Sequence, residues 1–176
     1  MDKLLEKLER EYIGTNDFQL RQILQEFSIE EIVNHIMQWF EIEWTEAEYL
    51  NYADITTIAR DFYIGSNLTK QERNQYIKEL KKQGYFNVLD KNLYSKDFAK
   101  CCWTIYSFGK FSISENAIYL ETAFENFYSK NNPVLSVNCL HELACLNYKK
   151  AESYLNKLNK ENSLFAKIIL LLYWRG

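Results

Sequence analysis

The fold class is decided by the stretch Ser28-Ile-Glu-Glu-Ile-Val-Asn-His-Ile-Met-Gln-Trp-Phe40. Its apolar residues recur at intervals of three and four and therefore share one face of an α-helix: Ile29, Ile32, Val33, Ile36 and Phe40. Ser28 precedes this run, and Glu31 lies three residues after Ser28, which is the spacing of a capping box. In that motif the side chains of both residues accept hydrogen bonds from backbone N–H groups that the helix leaves unpaired. The stretch predicts an amphipathic helix over residues 29–41.

Helix start and stop signals recur along the rest of the chain. Further pairs with capping-box spacing are Thr45 with Glu48, Thr69 with Glu72, and Ser112 with Glu115. Asn132 before Pro133 is typical of an N-cap followed by the first helical residue, where the missing N–H of proline costs nothing. We expect Gly65 just beyond the end of one helix and Gly84 at the end of another. The predicted helices span residues 2–13, 17–27, 29–41, 46–63, 70–83, 95–108, 113–129, 133–146, 148–159 and 164–174, and residues 84–94 are expected to form a loop or a short turn.

Composition also favours an all-α chain. The 176 residues include only 5 Gly and 1 Pro, too few for the many tight turns of a β-sandwich or barrel. The 13 Tyr, 11 Phe and 4 Trp supply large rings, so a modest number of buried side chains builds a core. No Pro-, Gly- or Ser-rich linker interrupts the sequence. We therefore expect a single all-α domain over residues 1–176, with about ten helices in antiparallel hairpins.

Three segments of the C-terminal half can be laid over one another. They begin at Asp97, Pro133 and Ser163, which are 36 and 30 residues apart. Two-helix units of this size are characteristic of α-solenoids. The stretch 132–144 resembles the first helix of a HEAT-type repeat, although Leu135 and Ser136 stand where that repeat usually has a basic residue. The resemblance covers residues 95–174 and implies a HEAT-like stack, and a less regular helical bundle is the alternative.

Two of the predicted helices are apolar around most of their circumference. One covers residues 134–146, and the other covers residues 164–174, where Lys167 is the only charged residue. A helix of this kind is usually buried between neighbours, so we expect both to lie in the core. The terminal helix could alternatively present an apolar face to another subunit.

The sequence carries no sign of export or membrane insertion. Its first residues lack the apolar core of a signal peptide, and its longest apolar run, residues 168–174, is far shorter than the roughly 20 residues of a membrane span. We expect a cytoplasmic protein with free, buried thiols at its four cysteines: Cys101, Cys102, Cys139 and Cys145. The abundance of Asn, Lys, Ile and Tyr suggests an AT-rich bacterial genome.

The net charge of −3 hides a strong asymmetry. Residues 1–63 contain 14 Asp or Glu and 5 Lys or Arg, a net charge of −9, whereas residues 64–176 contain 10 and 16, a net charge of +6. No Lys or Arg occurs between Arg21 and Arg60, but eight acidic residues do: Glu26, Glu30, Glu31, Glu41, Glu43, Glu46, Glu48 and Asp54. Surface helices usually mix charges of both signs, so this acidic interval is the most informative feature of the sequence.

Carboxylates alternate with large aromatic rings over residues 39–49. Trp and Tyr are enriched at binding hot spots, and acidic groups around them would steer a basic partner. The candidate partner-binding residues are Glu30, Glu31, Glu41, Glu43, Trp44, Glu46 and Glu48. The structural alternative is that Trp39, Phe40 and Trp44 face the core, and that acids in the first turns of helices only complement the helix macrodipole.

Patterns typical of catalysis or metal binding do not occur in the sequence. His141 lies near Cys139, but the two positions differ by about 200° around a helix and cannot face one ion. Glu31 and His35 are four residues apart, for which a surface ion pair is the default interpretation. There is no nucleophile elbow, phosphate-binding loop or dinucleotide fingerprint. We expect no metal, no cofactor and no enzymatic activity.

Three functions are consistent with these features. The leading hypothesis is a non-catalytic domain that binds and neutralises a basic protein through the acidic face, as an immunity protein or antitoxin masks a nuclease-type toxin. The second is a helical-repeat scaffold or adaptor that holds a peptide in a groove. The third, which the acidic overall charge disfavours, is nucleic-acid binding through Lys78, Lys81 and Lys82. A homodimer through the terminal apolar helix is compatible with all three.

Overall fold

The structure is a computed structural model that describes residues 3–11, 17–41 and 51–176. Over these residues the chain is all-α, has no strand and forms eleven α-helices. In chain order, α1 to α11 are Lys3–Glu11, Asp17–Leu24, Ile29–Glu41, Tyr52–Gly65, Lys70–Lys82, Tyr85–Leu93, Phe98–Lys110, Ala117–Ser129, Pro133–Leu146, Tyr148–Glu161 and Leu164–Arg175. A single 3-10 turn, Ser114–Asn116, precedes α8. The prediction of an all-α fold is confirmed.

Two of the predicted capping boxes begin helices. At α3, Glu31 N donates to Ser28 Oγ at 3.3 Å, and Ser28 N donates to Glu31 Oε2 at 2.8 Å. At α5, the equivalent bonds between Thr69 and Glu72 measure 3.2 and 2.7 Å. At α9, Asn132 Oδ1 accepts from Leu135 N at 3.1 Å. Because each motif satisfies backbone donors locally, these helix starts depend little on distant residues.

The predicted start of α4 is wrong. The helix begins at Tyr52 rather than at residue 46, because Asn51 is its N-cap. Asn51 Oδ1 accepts from Asp54 N, and Asp54 Oδ2 accepts from Asn51 N, each at 3.1 Å. The pair Thr45 and Glu48 lies outside the described residues. Gly65, expected beyond the helix, is instead its last residue.

The predicted start of α8 is also wrong. Ser112 has a φ of 50° and is followed by the 3-10 turn, so it is not the N-cap of α8, which begins at Ala117. Asn116 is buried in this connection, and its Nδ2 donates to Phe108 O at 3.1 Å. This tertiary hydrogen bond, rather than a local box, fixes the chain between α7 and α8.

Residues 84–94, expected to form a loop or a short turn, contain the helix α6. Gly84 has a φ of 84°, a conformation that glycine adopts without strain, and it separates α5 from α6. Tyr85, Phe86, Leu89 and Leu93 are buried along one side of α6. Packing of this side therefore outweighs the weak helix propensity of its polar residues.

Backbone contacts divide the chain into two compact units, residues 1–88 and 89–176, and the division falls within α6. In the first unit, α3 packs against α4 and α5, and α2 packs against α1 and α4. Tyr76 of α5 is fully buried, its Oη donates to Ala59 O at 2.8 Å, and its ring meets that of Phe62 edge-on. The expectation of a single domain over residues 1–176 stays a prediction.

The second unit is built around α9. This helix packs against α7, α8, α10 and α11. Its fully or nearly buried side chains include Leu135, Val137, Cys139, Leu140 and Leu143, as expected for a helix that is apolar on most sides. Asn147 ends α9 and also caps α10, because its Oδ1 accepts from Lys150 N at 3.2 Å.

The expected core position of the last helix is largely wrong. Only Ala166 and Ile169 of α11 are buried. Five large apolar side chains of α11 are exposed, with exposed fractions of 76% for Leu164, 37% for Ile168, 51% for Leu171, 36% for Leu172 and 70% for Trp174. We call these five residues the α11 face. The low charge of residues 164–174 indicated burial, but most of the apolar side chains of α11 are exposed.

The close approach of α7 and α9 depends on Gly109. A Cβ at this position would lie 2.8 Å from Glu142 Cβ and would also overlap the Glu142 carboxylate. We therefore expect Gly109→Ala to lower the free energy of unfolding by about 1–3 kcal/mol through overpacking. Urea unfolding followed by circular dichroism measures this effect.

The control for Gly109→Ala is the same substitution made in a protein that is also altered at position 142. In a Glu142→Gly protein the whole clashing side chain, including its Cβ, is gone, so the same substitution at Gly109 should be neutral or should stabilise α7 by up to about 1 kcal/mol. An equal loss in both backgrounds would show that the overlap with Glu142 is not the cause.

Candidate functional site

The candidate partner-binding residues that the structure describes lie on α3. Glu30, Glu31 and Glu41 are exposed, as are Asn34 and Gln38 between them. We call these five residues the α3 stripe. The opposite side of the helix is anchored in the core by Ile32, Val33, Ile36 and Trp39. Glu30 and Glu41 are eleven residues apart, or about three turns, so they lie on one side of the helix roughly 16 Å apart along its axis.

Glu31 contributes to the fold as well as to the charge of the stripe. Its Oε2 accepts from the backbone N–H and from the hydroxyl of Ser28, both at 2.8 Å. These two hydrogen bonds, the backbone one first, lower the pKa of the Glu31 carboxyl. The carboxylate is therefore ionised at neutral pH whether or not a partner is bound.

The acidic interval is less unbalanced in the structure than in the sequence. Lys7 of α1 forms an ion pair with Glu26, which lies 19 residues later in the sequence. Asp54 accepts from the backbone at the start of α4. Glu30 and Glu41 are exposed, and among the described residues neither forms an ion pair or a side-chain hydrogen bond. The uncompensated charge of the interval is thus concentrated, over the described residues, on the α3 stripe.

The aromatic residues at the end of α3 belong to the core. Trp39 is 3% exposed and stacks on His35, with ring centroids 6.1 Å apart. Phe40 lies against the rings of Tyr52 and Tyr85, with centroids 5.8 Å away in each case. For Trp39 and Phe40 the structural alternative is therefore correct, and the described stripe carries no exposed aromatic ring. Of the remaining candidates, Glu43, Trp44, Glu46 and Glu48 lie outside the described residues.

The end of α5 lies beside the middle of the α3 stripe. Gln83 Nε2 donates to Asn34 Oδ1 at 2.6 Å. Gln83 directly follows Lys81 and Lys82, which are both exposed, and Lys82 pairs with Glu79 at 3.1 Å. The lysines that favoured nucleic-acid binding therefore lie close to a row of carboxylates in the first unit.

A shallow cleft in the first unit was not expected from the sequence. It has a volume of about 530 Å³ and combines polar and apolar side chains, with Gln25, Phe27, Ser28, Ile29, Phe62, Asn67, Leu68, Glu72 and Gln75 as its lining. Two helix starts border it, because Ser28 and Glu72 belong to the capping boxes of α3 and α5. No periodic pattern marks such a cleft, since its walls come from segments distant in sequence.

The side chains that bear reactive groups are dispersed or buried. Over residues 3–11, 17–41 and 51–176, no group of three or more His, Cys, Asp or Glu side chains is placed to bind a metal ion. The four cysteines form no disulfide, and Cys101 and Cys139 are buried, but Cys145 is exposed, contrary to expectation. Burial raises the pKa of the Cys139 thiol well above its ordinary value, which keeps this thiol protonated.

Comparisons with known proteins identify no relative: the chain matches no protein-family model, no curated protein and no solved structure. The HEAT-like resemblance of residues 95–174 stays a prediction. In the described part of the chain, no helix combines the length and the apolar character that crossing a membrane requires.

Proposed function

We propose that the protein is a non-catalytic binding domain whose α3 stripe docks a basic protein. One observation carries the proposal: the exposed carboxylates of Glu30 and Glu41 share one side of α3 and, among the described residues, have no cation paired with them. Surface charge of one sign raises the association rate with a partner of the opposite sign. In its sharpest form, the protein is an inhibitor, such as an immunity protein or antitoxin, that covers the nucleic-acid site of a nuclease-type toxin.

The way in which α3 is anchored in the fold supports this role. Four buried side chains fix α3 in the core, and the Ser28 capping box fixes its start, so the carboxylates are held on a rigid element. A rigid row of negative charges resembles the phosphates that a nucleic-acid-binding protein recognises. Mimicry of this kind needs neither a metal nor a reactive side chain.

The proximity of the α5 lysines supports a protein partner over a nucleic acid. A phosphate backbone that approached Lys81 and Lys82 would also approach the carboxylates of the stripe, because Gln83 and Asn34 are hydrogen-bonded. Repulsion from those carboxylates would offset the attraction of the lysines.

Charge reversal on the stripe tests the proposal. We expect Glu30→Lys/Glu41→Lys to fold like the wild type, since both side chains are exposed. The wild-type protein, immobilised, should retain a basic protein from a bacterial lysate at an ionic strength of about 0.01 M and release it near about 0.15 M. For the purified pair, the association rate constant should be at least about tenfold lower with the variant.

The matched control is Glu6→Lys/Glu152→Lys, which changes the net charge equally at two exposed sites on α1 and α10. This control should bind the basic partner at nearly the wild-type rate. If the stripe variant and the control behave alike, only the overall charge matters and the α3 stripe is not the docking surface.

A second candidate function rests on the cleft beside α3 and α5. A scaffold that holds a peptide needs a concave surface, and the cleft combines Phe27, Phe62 and Leu68 with amide side chains that can hydrogen-bond a peptide backbone. A partner held there should resist high salt and should be lost from Leu68→Glu but kept by Glu30→Lys/Glu41→Lys. Salt resistance of this kind separates the two candidate functions.

A further inference from the structure

The α11 face is an apolar surface on a helix that is otherwise packed in the second unit. Leu164, Ile168, Leu171 and Leu172 follow the spacing i, i+4, i+7, i+8 and form one stripe, and Trp174 lies at its edge. Exposed apolar residues scattered singly are ordinary, but a continuous stripe of this size on one helix marks an interaction site.

Two positions of the α11 face correspond to residues of α7 that another helix covers. When α7 and α11 are aligned from Asp97 and Ser163, Ile105 and Phe108 correspond to Leu171 and Trp174. Ile105 and Phe108 are fully buried, and Phe108 stacks on Tyr119 of the next helix, α8, with centroids 4.7 Å apart. In α9 the corresponding residues are His141 and Ala144, which are half-buried.

Two positions of the α11 face, those of Leu171 and Trp174, are therefore covered in α7 but exposed in α11. The α7 residues that correspond to Leu164 and Leu172 are Phe98 and Tyr106, which are exposed as well. Leu171 and Trp174 therefore lie on a side of α11 that no other helix of the described residues covers. A helix is the element whose shape fits this side, because ridges of side chains four residues apart pack into the grooves of another helix.

The charged residues of α11 indicate which charge the docking helix should carry. Lys167 and Arg175 are the only charged residues of α11, and both are exposed. Glu161, just before α11, accepts from Tyr128 Oη and Ser163 Oγ and is thus already used within the unit. A second copy of α11 laid on the first would add two more cations and no carboxylate, so charge complementarity favours a different, acidic partner.

We propose that the α11 face binds an amphipathic helix of another protein, with an apolar stripe flanked by Asp or Glu. The partner helix needs apolar anchors three and four residues apart, because helices dock on apolar surfaces through side chains at that spacing. Its acidic flanks lie against Lys167 and Arg175. The α11 face shares no residue with the α3 stripe, and the two surfaces would take partners of opposite charge.

Two model peptides test the proposal with the full chain. Both are helices of about 18 residues, long enough to be helical in water, with the same leucine stripe, and they differ only in having Glu or Lys at the flanking positions. Fluorescence anisotropy of labelled peptide should show that the Glu peptide binds at least tenfold more tightly than the Lys peptide. Lys167→Glu/Arg175→Glu should reverse this preference.

Variants of the apolar residues locate the binding surface. Leu171→Ser and Trp174→Ser should each weaken binding of the Glu peptide at least tenfold while the circular dichroism stays that of the wild type. Ile118→Ser is the matched control, because Ile118 is 63% exposed but lies on α8, and it should bind the peptide as the wild type does.

Three results would overturn the proposal. The first is failure of the Glu peptide to bind, or equal binding of both peptides. The second is self-association of the wild type in sedimentation that Leu171→Ser abolishes, since the α11 face would then be a homodimer interface. The third is binding to anionic phospholipid vesicles that requires Leu171, which would assign the face to a membrane surface.

Discussion

Leu140→Ala should lower the free energy of unfolding by about 2–5 kcal/mol, a large share of the total stability of a domain. Leu140 is fully buried in α9, the helix against which α7, α8, α10 and α11 pack. Truncation removes apolar contacts and leaves a cavity that close-packed neighbours cannot fill without moving. Urea unfolding followed by circular dichroism measures the loss.

Leu171→Ala is the matched comparison for this prediction. The same atoms are removed from a helix of similar apolar character, but Leu171 is 51% exposed, so the free energy of unfolding should change by only about 0.5 kcal/mol. Similar losses for the two leucines would mean that the α11 face is buried in solution. They would contradict both this comparison and the docking surface proposed for α11.

Above about pH 10, the ordinary pKa of tyrosine, the stability of the first unit should fall steeply. Burial raises the pKa of Tyr76 well above its ordinary value and raises that of Tyr85 as well, because a phenolate would have to form without water around it. In the unfolded chain both phenols lose their protons near pH 10, while the folded unit keeps them. The contribution to stability is therefore complete below about pH 10 and is lost as the pH rises towards the folded pKa values.

The size of this effect follows from proton linkage. Each tyrosine that is protonated only in the folded state lowers the free energy of unfolding by about 1.4 kcal/mol per pH unit above about pH 10. Tyr76→Phe should therefore make the slope less steep by about 1.4 kcal/mol per pH unit, and Tyr76→Phe/Tyr85→Phe by about twice that. Near neutral pH, Tyr76→Phe should cost only the hydrogen bond to Ala59 O, about 0.5–1.5 kcal/mol.

Urea unfolding at several pH values gives these slopes. If Tyr76→Phe leaves the alkaline slope unchanged, the Tyr76 phenol reaches solvent in the folded protein and is not buried against Phe62. If Tyr85→Phe alone changes the slope, the raised pKa of Tyr85 carries the whole effect.

Features encoded by neighbouring residues could be predicted from the sequence. The starts of α3, α5 and α9 depend on Ser28 with Glu31, Thr69 with Glu72, and Asn132 with Pro133, and each motif satisfies backbone donors within one turn. The core face of α3 followed from the spacing of Ile32, Val33 and Ile36, because apolar residues at helical intervals must be buried together.

Features set by distant residues could not be predicted. The helix α6 owes its formation to burial of Tyr85, Leu89 and Leu93, which its local propensity does not indicate. Ser112 has capping-box spacing with Glu115, but the hydrogen bond from Asn116 to Phe108 imposes another path on the chain. In both places, packing outweighs a local preference. The start of α4 differs, because it depends on a local capping box, Asn51 with Asp54, that the prediction from Thr45 and Glu48 overlooked.

The candidate site also has features that the local sequence predicts and features that depend on distant residues. Exposure of Glu30 and Glu41 followed from their position opposite the apolar face of α3. Pairing of Lys7 with Glu26 joins α1 to the turn after α2, 19 residues along the chain, so the compensation of that acid could not be predicted from local sequence. Exposure of the α11 face could not be predicted, because apolar composition indicates how much surface a helix can bury but not how many neighbouring helices cover it.

Glu31 ties the surface charge of α3 to the start of the helix. Loss of its carboxylate would remove a capping partner of Ser28 as well as one negative charge, so selection for a stable fold preserves this acid even where no partner exists. Among the described residues, Glu30 and Glu41 accept no such hydrogen bond, and the structural role of Glu30 is limited to complementing the helix macrodipole from the first turn of α3. Over evolution they drift to other polar residues if the stripe is only a solvated surface, and they persist beside Glu31 if a basic partner depends on them.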